Sequence, residues 1–122
     1  MLVLLDTNFL MAIFQLGLDV FEELRRLMDE PYTVAIVDKT ISELEMLAQG
    51  NQKQALPARM ALRLIKERRI EILPTKEGHT DDLLVSLARA EDAYVATNDK
   101  GLKQRLRRVI FIRQKRYLQK KG

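Results

Sequence analysis

An α/β fold, with a mainly parallel sheet covered by helices on both faces, is predicted by three features of this 122-residue sequence. Short apolar runs recur along the chain, amphipathic stretches separate them, and three of the runs are followed at once by Asp or Thr. Apolar runs of this length suit strands buried on both faces, and parallel strands need crossover connections that helices supply. At 47% hydrophobic residues the chain has enough apolar mass for one ordinary core, so one domain is expected.

Val3 to Leu5 form the first apolar run, and Asp6-Thr7-Asn8 after it favour a helix start. From Phe9 to Met28 apolar residues recur at helical spacing, with a break near Gly17, and Pro31 closes the segment. Tyr32 to Val37 reads as a second buried strand. Thr40, with Glu43 three residues on, has the spacing of a capping box and opens a helix to about Leu47. Gln49 to Gln54 is a polar loop, and Pro57 suits the first turn of a helix ending near Arg69. Ile70 to Leu73 is a short strand. Thr80 is the expected cap of an amphipathic helix from Asp81 to Ala90. Ala93 to Ala96 and Val109 to Ile112 complete the strands, with a helix start at Asn98-Asp99 between them.

Composition narrows the chemistry. With no cysteine there are no disulfides, thiolate zinc sites or cysteine nucleophiles, which fits a reducing compartment. The first apolar run is interrupted by Asp6 and Asn8 and lacks a basic start, and no run reaches membrane-spanning length, so a cytoplasmic protein without a membrane partner is expected. Charge is unevenly placed. Lys103 to Gly122 hold nine basic residues and no acidic one, while residues 1–102 carry a net charge of −5. An acidic body with a basic edge suits an enzyme that binds metal in one place and a polyanion nearby.

In parallel sheets ligands bind outside the carboxyl ends of the strands, where Asp6, Glu43, Asp81 and Asp99 can all fall. Each has a structural reading too: Asp6 and Asp99 as helix N-caps, Glu43 as the partner of Thr40, Asp81 in a first helical turn. Together, four acids in one crevice repel unless a cation offsets them. Oxygen-only ligation points to Mg²⁺ or Mn²⁺, and such an ion supports in-line hydrolysis of a phosphodiester. Glu45 lies about 200° around a helix from Glu43 and cannot share its ion, whereas Asp82, about 100° from Asp81, is an alternative ligand. Asn8, Thr97 and Asn98 are candidates to hold those carboxylates. A dehalogenase-type phosphatase would need Asp where Asn8 stands, and there is no glycine-rich phosphate loop.

The blocks Asp6-Thr7-Asn8-Phe9-Leu10, Ser42-Glu43-Leu44, Asp81 seven residues before Ala88, and Ala96-Thr97-Asn98-Asp99 resemble, in order and spacing, the signature blocks of PIN domains. The resemblance implies a three-layer α/β/α sandwich, a metal-dependent ribonuclease, and Asp6, Glu43, Asp81 and Asp99 in the four acidic positions. It covers residues 1–112 as the nuclease domain, leaving 113–122 as a basic C-terminal tail. A finer likeness, through Ala61-Leu62-Arg63-Leu64-Ile65, Thr80-Asp81-Asp82 and Phe111-Ile112-Arg113, is to archaeal and eukaryotic PIN proteins related to the nuclease of small-subunit ribosomal RNA processing. VapC toxins share the four acids but usually lack the basic ending, which ranks a toxin second; a non-catalytic RNA-binding module is the alternative from another class. In the nuclease reading Lys103, Arg105, Arg107 and Arg108 hold the RNA backbone, Arg113, Lys115 and Arg116 add to them, and Tyr117 either stacks on a base or packs on the last helix. The resemblance also suggests a homodimer and, as partners, an antitoxin or a ribosome-assembly protein.

Overall fold

The computed structural model describes residues 1–122. Its elements run β1 (Leu2–Leu5), α1 (Thr7–Leu16), α2 (Val20–Leu27), β2 (Thr33–Val37), α3 (Asp38–Ala48), α4 (Ala55–Glu67), β3 (Glu71–Leu73), α5 (Thr80–Glu91), β4 (Tyr94–Ala96), α6 (Lys100–Gln104), β5 (Val109–Arg113) and β6 (Tyr117–Lys121). One six-stranded sheet has the order β3-β2-β1-β4-β5-β6. Every neighbouring pair is parallel except the hairpin of β5 with β6. No helix is long and apolar enough to cross a membrane.

Side chains alternate across the strands and so build two cores. Val3, Leu5, Ile36, Tyr94, Ile110 and Leu118 share one with residues of α1, α2, α3 and α4. Leu4, Ala35, Val37 and Val95 share the other with Leu84, Val85 and Ala88 of α5 and Leu102 of α6. These are the three layers. The break near Gly17 is real: Gly17 has φ of 69° and ends α1, and Asp19 then caps α2 by accepting from the Glu22 amide at 3.1 Å.

Three local expectations are corrected. Thr40 and Glu43 do not form a capping box, because α3 already starts at Asp38; Thr40 is fully buried inside the helix. Thr80 is the first helical residue of α5 and not its cap, a position taken by His79 without a side-chain bond. Half of the basic tail, Tyr117–Lys121, is β6, an edge strand of the sheet, with Leu118 fully buried. Its backbone is also tied to α2: the Leu118 amide donates to Glu23 Oε1 at 2.7 Å, and its carbonyl accepts from Arg26 Nη2 at 2.6 Å.

Candidate functional site

Strand order reverses between β1 and β4: the chain leaves β1 toward β2 on one side, and β4 returns on the other. A crevice opens at the carboxyl ends of strands at such a point. Leu5 is in register with Ala96, so the residues that follow them, Asp6 and Thr97, are brought side by side. The Asp6 amide donates to the Ala96 carbonyl at 3.1 Å. Asp6 is only 7% exposed, with one carboxylate oxygen accepting from the Asn8 amide at 3.1 Å and the other from Thr97 Oγ1 at 2.6 Å. Thr97 Oγ1 in turn accepts from the Asp99 amide at 3.1 Å. One buried hydroxyl therefore links two of the predicted acids. Asp99 also caps α6 by accepting from the Leu102 amide at 2.7 Å.

Glu43 comes from α3 and Asp81 from the first turn of α5. The Glu43 carboxylate is held from both sides, by Thr7 Oγ1 at 2.5 Å and Thr80 Oγ1 at 3.1 Å. The loop leading to α5 is tied to the start of α3 through Asp38, which accepts from the Thr75 hydroxyl at 2.5 Å and amide at 3.2 Å. Asp6, Asn8, Glu43, Thr80 and Asp81 line one cleft. Its acidic field shows in two groups. Burial pushes the Asp6 carboxyl above the usual aspartate range, the bonds from Thr97 and Asn8 oppose this, and the charges of Asp81 and Glu43 add to it. Asp81 is raised by desolvation and then by Asp99, with smaller contributions from Glu43 and Asp82 and opposition from Arg105. Asp81 thus feels the charges of Glu43, Asp82 and Asp99. Asp82 is paired with Arg105 at 2.7 Å, and the pair lines a depression with Glu43 and Asp81.

No three acidic or histidine side chains are drawn into one coordination sphere. Asp6, Glu43 and Asp99 direct oxygens at hydroxyl or amide donors instead. As a donor set they fit a hard divalent cation: every candidate ligand is a carboxylate, and their mutual repulsion is what such an ion relieves.

The sequence profile described as "PIN like domain" matches residues 3–115. The chain belongs to the PIN-domain family. It is 38% identical over 110 residues to the rRNA-processing protein fcf1 of Schizosaccharomyces pombe, covering 88% of this chain and 54% of that protein. It thus spans about half the length of that relative. It is 30% identical over 122 residues to Ribonuclease VapC4 of Methanocaldococcus jannaschii, covering 93% of this chain and 92% of that one. The solved PIN domain endonuclease Utp24 superposes with a TM-score of 0.81 at 31% identity, over 98% of this chain and 90% of its own. The α/β/α sandwich predicted from the sequence is therefore the fold of this PIN domain.

Within this PIN domain the expected supporting residues divide. Thr97 holds Asp6, and Asn8 holds it through its backbone amide. Asn98 turns away: its amide group donates to the Ile112 carbonyl at 3.1 Å and accepts from the Ile112 amide at 2.8 Å, pinning the chain to β5. Thr7 and Thr80, which hold Glu43, were read from the sequence only as a helix-start residue and a helix cap. Of the basic residues, Arg105 pairs with Asp82, and Arg107 and Arg108 with Asp92 at 3.9 and 3.1 Å. Arg113, Lys115 and Arg116 are exposed around the β5–β6 turn. Tyr117 meets the Arg26 guanidinium at 5.9 Å from its ring centroid.

Replacing Thr97 with Val keeps the shape and removes the hydroxyl that Asp6 and the Asp99 amide share. The expected cost is about 1–3 kcal/mol, read as a lower urea midpoint with unchanged slope.

Proposed function

We propose that this PIN domain is a metal-dependent endoribonuclease in which Asp6, Glu43, Asp81 and Asp99 hold Mg²⁺ or Mn²⁺, and that its substrate is an RNA of ribosome maturation. The observation that carries this reading is the meeting of Asp6, Glu43 and Asp81, from three separate segments, on one cleft, where Asp6 and Asp81 are pushed up by burial and by neighbouring acids, Asp99 among those acting on Asp81. When bound, the ion supplies the charge that offsets the negative charge developing on a phosphoryl centre and makes a water acidic enough to serve as nucleophile. The protein's own part is positioning. Thr97 fixes Asp6, Thr7 and Thr80 fix Glu43, and the Asp82–Arg105 pair places a cation beside Asp81, where it can meet the phosphate. Cleavage leaves a 5′-phosphate.

The ribosomal reading draws on the rRNA-processing relative. A second reading, a VapC-type toxin neutralised by an antitoxin, draws on the near full-length match to Ribonuclease VapC4. Incubating the protein with ribosomal RNA precursor, transfer RNA and messenger RNA in Mn²⁺, Mg²⁺ or EDTA separates them. The expected result is metal-dependent cutting of the precursor at defined positions and none in EDTA. Cutting confined to transfer or messenger RNA favours the toxin, and binding without cutting in either metal overturns the enzyme reading in favour of a binding module.

A further inference from the structure

The basic C-terminal region has two chemically different parts. Arg105, Arg107, Arg108 and Lys120 are each paired with an aspartate. Lys100, Lys103, Arg113 and Lys121 make no ion pair, and all four line one groove. α6 forms its wall with Lys100, Lys103 and Gln104; the β5–β6 hairpin forms its floor with Phe111, Arg113 and Lys121.

Strand geometry explains why this face is open. Val109, Phe111 and Arg113 point to the same side of the sheet as their partners Lys121, Gln119 and Tyr117. The opposite side of the hairpin, with Ile110, Ile112 and Leu118, is buried in the core beneath α1, α2 and α4. The core under α5 and α6 takes in residues of β1, β2 and β4 and none of β5 or β6. Phe111 therefore stays half-exposed, with the Lys103 ammonium 4.9 Å from its ring centroid. An accessible ring among unpaired cations is what a single strand uses, because phosphates meet the charges and an unpaired base stacks on the ring. A duplex keeps its bases stacked inside and cannot use the ring. One of the groove's residues, Lys100, directly follows Asp99 in the chain.

We propose that this groove is the track on which single-stranded RNA lies as it approaches the acidic cleft, with phosphates on Lys100, Lys103, Arg113 and Lys121 and one base on Phe111. The choice of RNA as the polyanion rests on the ribonuclease reading above; the groove itself does not. The test is fluorescence anisotropy of a 12-nucleotide labelled oligouridylate against the full chain in EDTA, where cutting is not required, over a salt series and beside a duplex of the same length. Lys100→Ala with Lys121→Ala is expected to make the dependence of log affinity on log salt shallower by about 1.4, two phosphate contacts' worth. Lys53→Ala with Lys66→Ala, which removes the same charge from exposed sites outside the groove, is expected to leave the slope unchanged. Phe111→Leu keeps the apolar volume and is expected to weaken the single strand about fivefold or more while leaving the duplex unaffected. The proposal is overturned if wild type does not bind the oligonucleotide, if the two lysine doubles behave alike, or if only Arg107→Ala weakens binding. Groove-dependent binding by a protein that cuts nothing in Mn²⁺ supports the track and removes the nuclease reading, so the two fail separately.

Discussion

Asp6→Asn is expected to give a protein that melts higher than wild type without metal and cuts RNA at least about a hundredfold more slowly with it. The single acceptor oxygen of Asn can still cap α1 through the Asn8 amide, with its Nδ2 turned to the Thr97 hydroxyl in place of the second oxygen. What is removed is a buried charge that its surroundings disfavour. The folded-state pKa of Asp6 lies above its ordinary value, so ionised Asp6 costs stability at pH values above the ordinary aspartate range. The cost is absent below that range, grows as pH rises toward the folded pKa, and is complete above it. In metal-free thermal melts the advantage of Asn is therefore present at neutral pH and shrinks on acidification through the raised pKa. Mn²⁺ is expected to raise the midpoint of wild type and leave the variant unmoved, because a ligand stabilises only the state that binds it. A variant that is less stable at neutral pH, or that cuts RNA as fast as wild type, contradicts this assignment of Asp6.

Leu118→Ala is expected to destabilise the protein by about 2–5 kcal/mol and to lower its melting temperature by roughly 10 °C. The effect follows from β6 being part of the sheet: Leu118 is fully buried in the same core as Ile110 and Ile112. A frayed tail would give no change. Gln119→Ala, on the exposed face of the same strand, is the control and is expected to stay within about 0.5 kcal/mol.

The contrast between β6 and β1 explains what sequence reasoning could reach. Val3 to Leu5 are buried on both faces, and an uninterrupted apolar run reports that directly. Tyr117 to Lys121 form an edge strand with one fully buried apolar side chain, and Lys120 lays its stem inward with its ammonium 5.9 Å from the Tyr94 ring centroid and 3.2 Å from Asp29. Such a strand looks like a solvated basic segment. The capping-box error has a related cause: Thr and Glu three apart are also neighbours within a running helix, so the spacing does not fix where the helix begins. Asp6 and Asp99 drew notice because they follow recognisable strands and Asp81 because it opens a helix, whereas Glu43 lies inside α3 and stood out through the spacing of the sequence blocks. Of the acids' threonine partners Thr97 was anticipated, whereas Thr7 and Thr80 acquire their roles on Glu43 only when the fold brings α1 and the start of α5 against α3. Asp81 was preferred to Asp82 on the family's spacing; tertiary placement adds that Asp82 pairs with Arg105, while Asp81 feels Asp99, Arg105, Glu43 and Asp82.

The central claim is that carboxylates from four segments act as one site for a divalent ion. It is tested most directly by calorimetric titration of Mn²⁺ into wild type and into Asp6→Asn, Glu43→Gln, Asp81→Asn, Asp82→Asn and Asp99→Asn. Binding by wild type that each of the four site variants weakens by about tenfold or more, and that Asp82→Asn largely retains, is the predicted result. Absence of Mn²⁺ binding by wild type, or loss of binding in Asp82→Asn with Asp81→Asn unaffected, would contradict it.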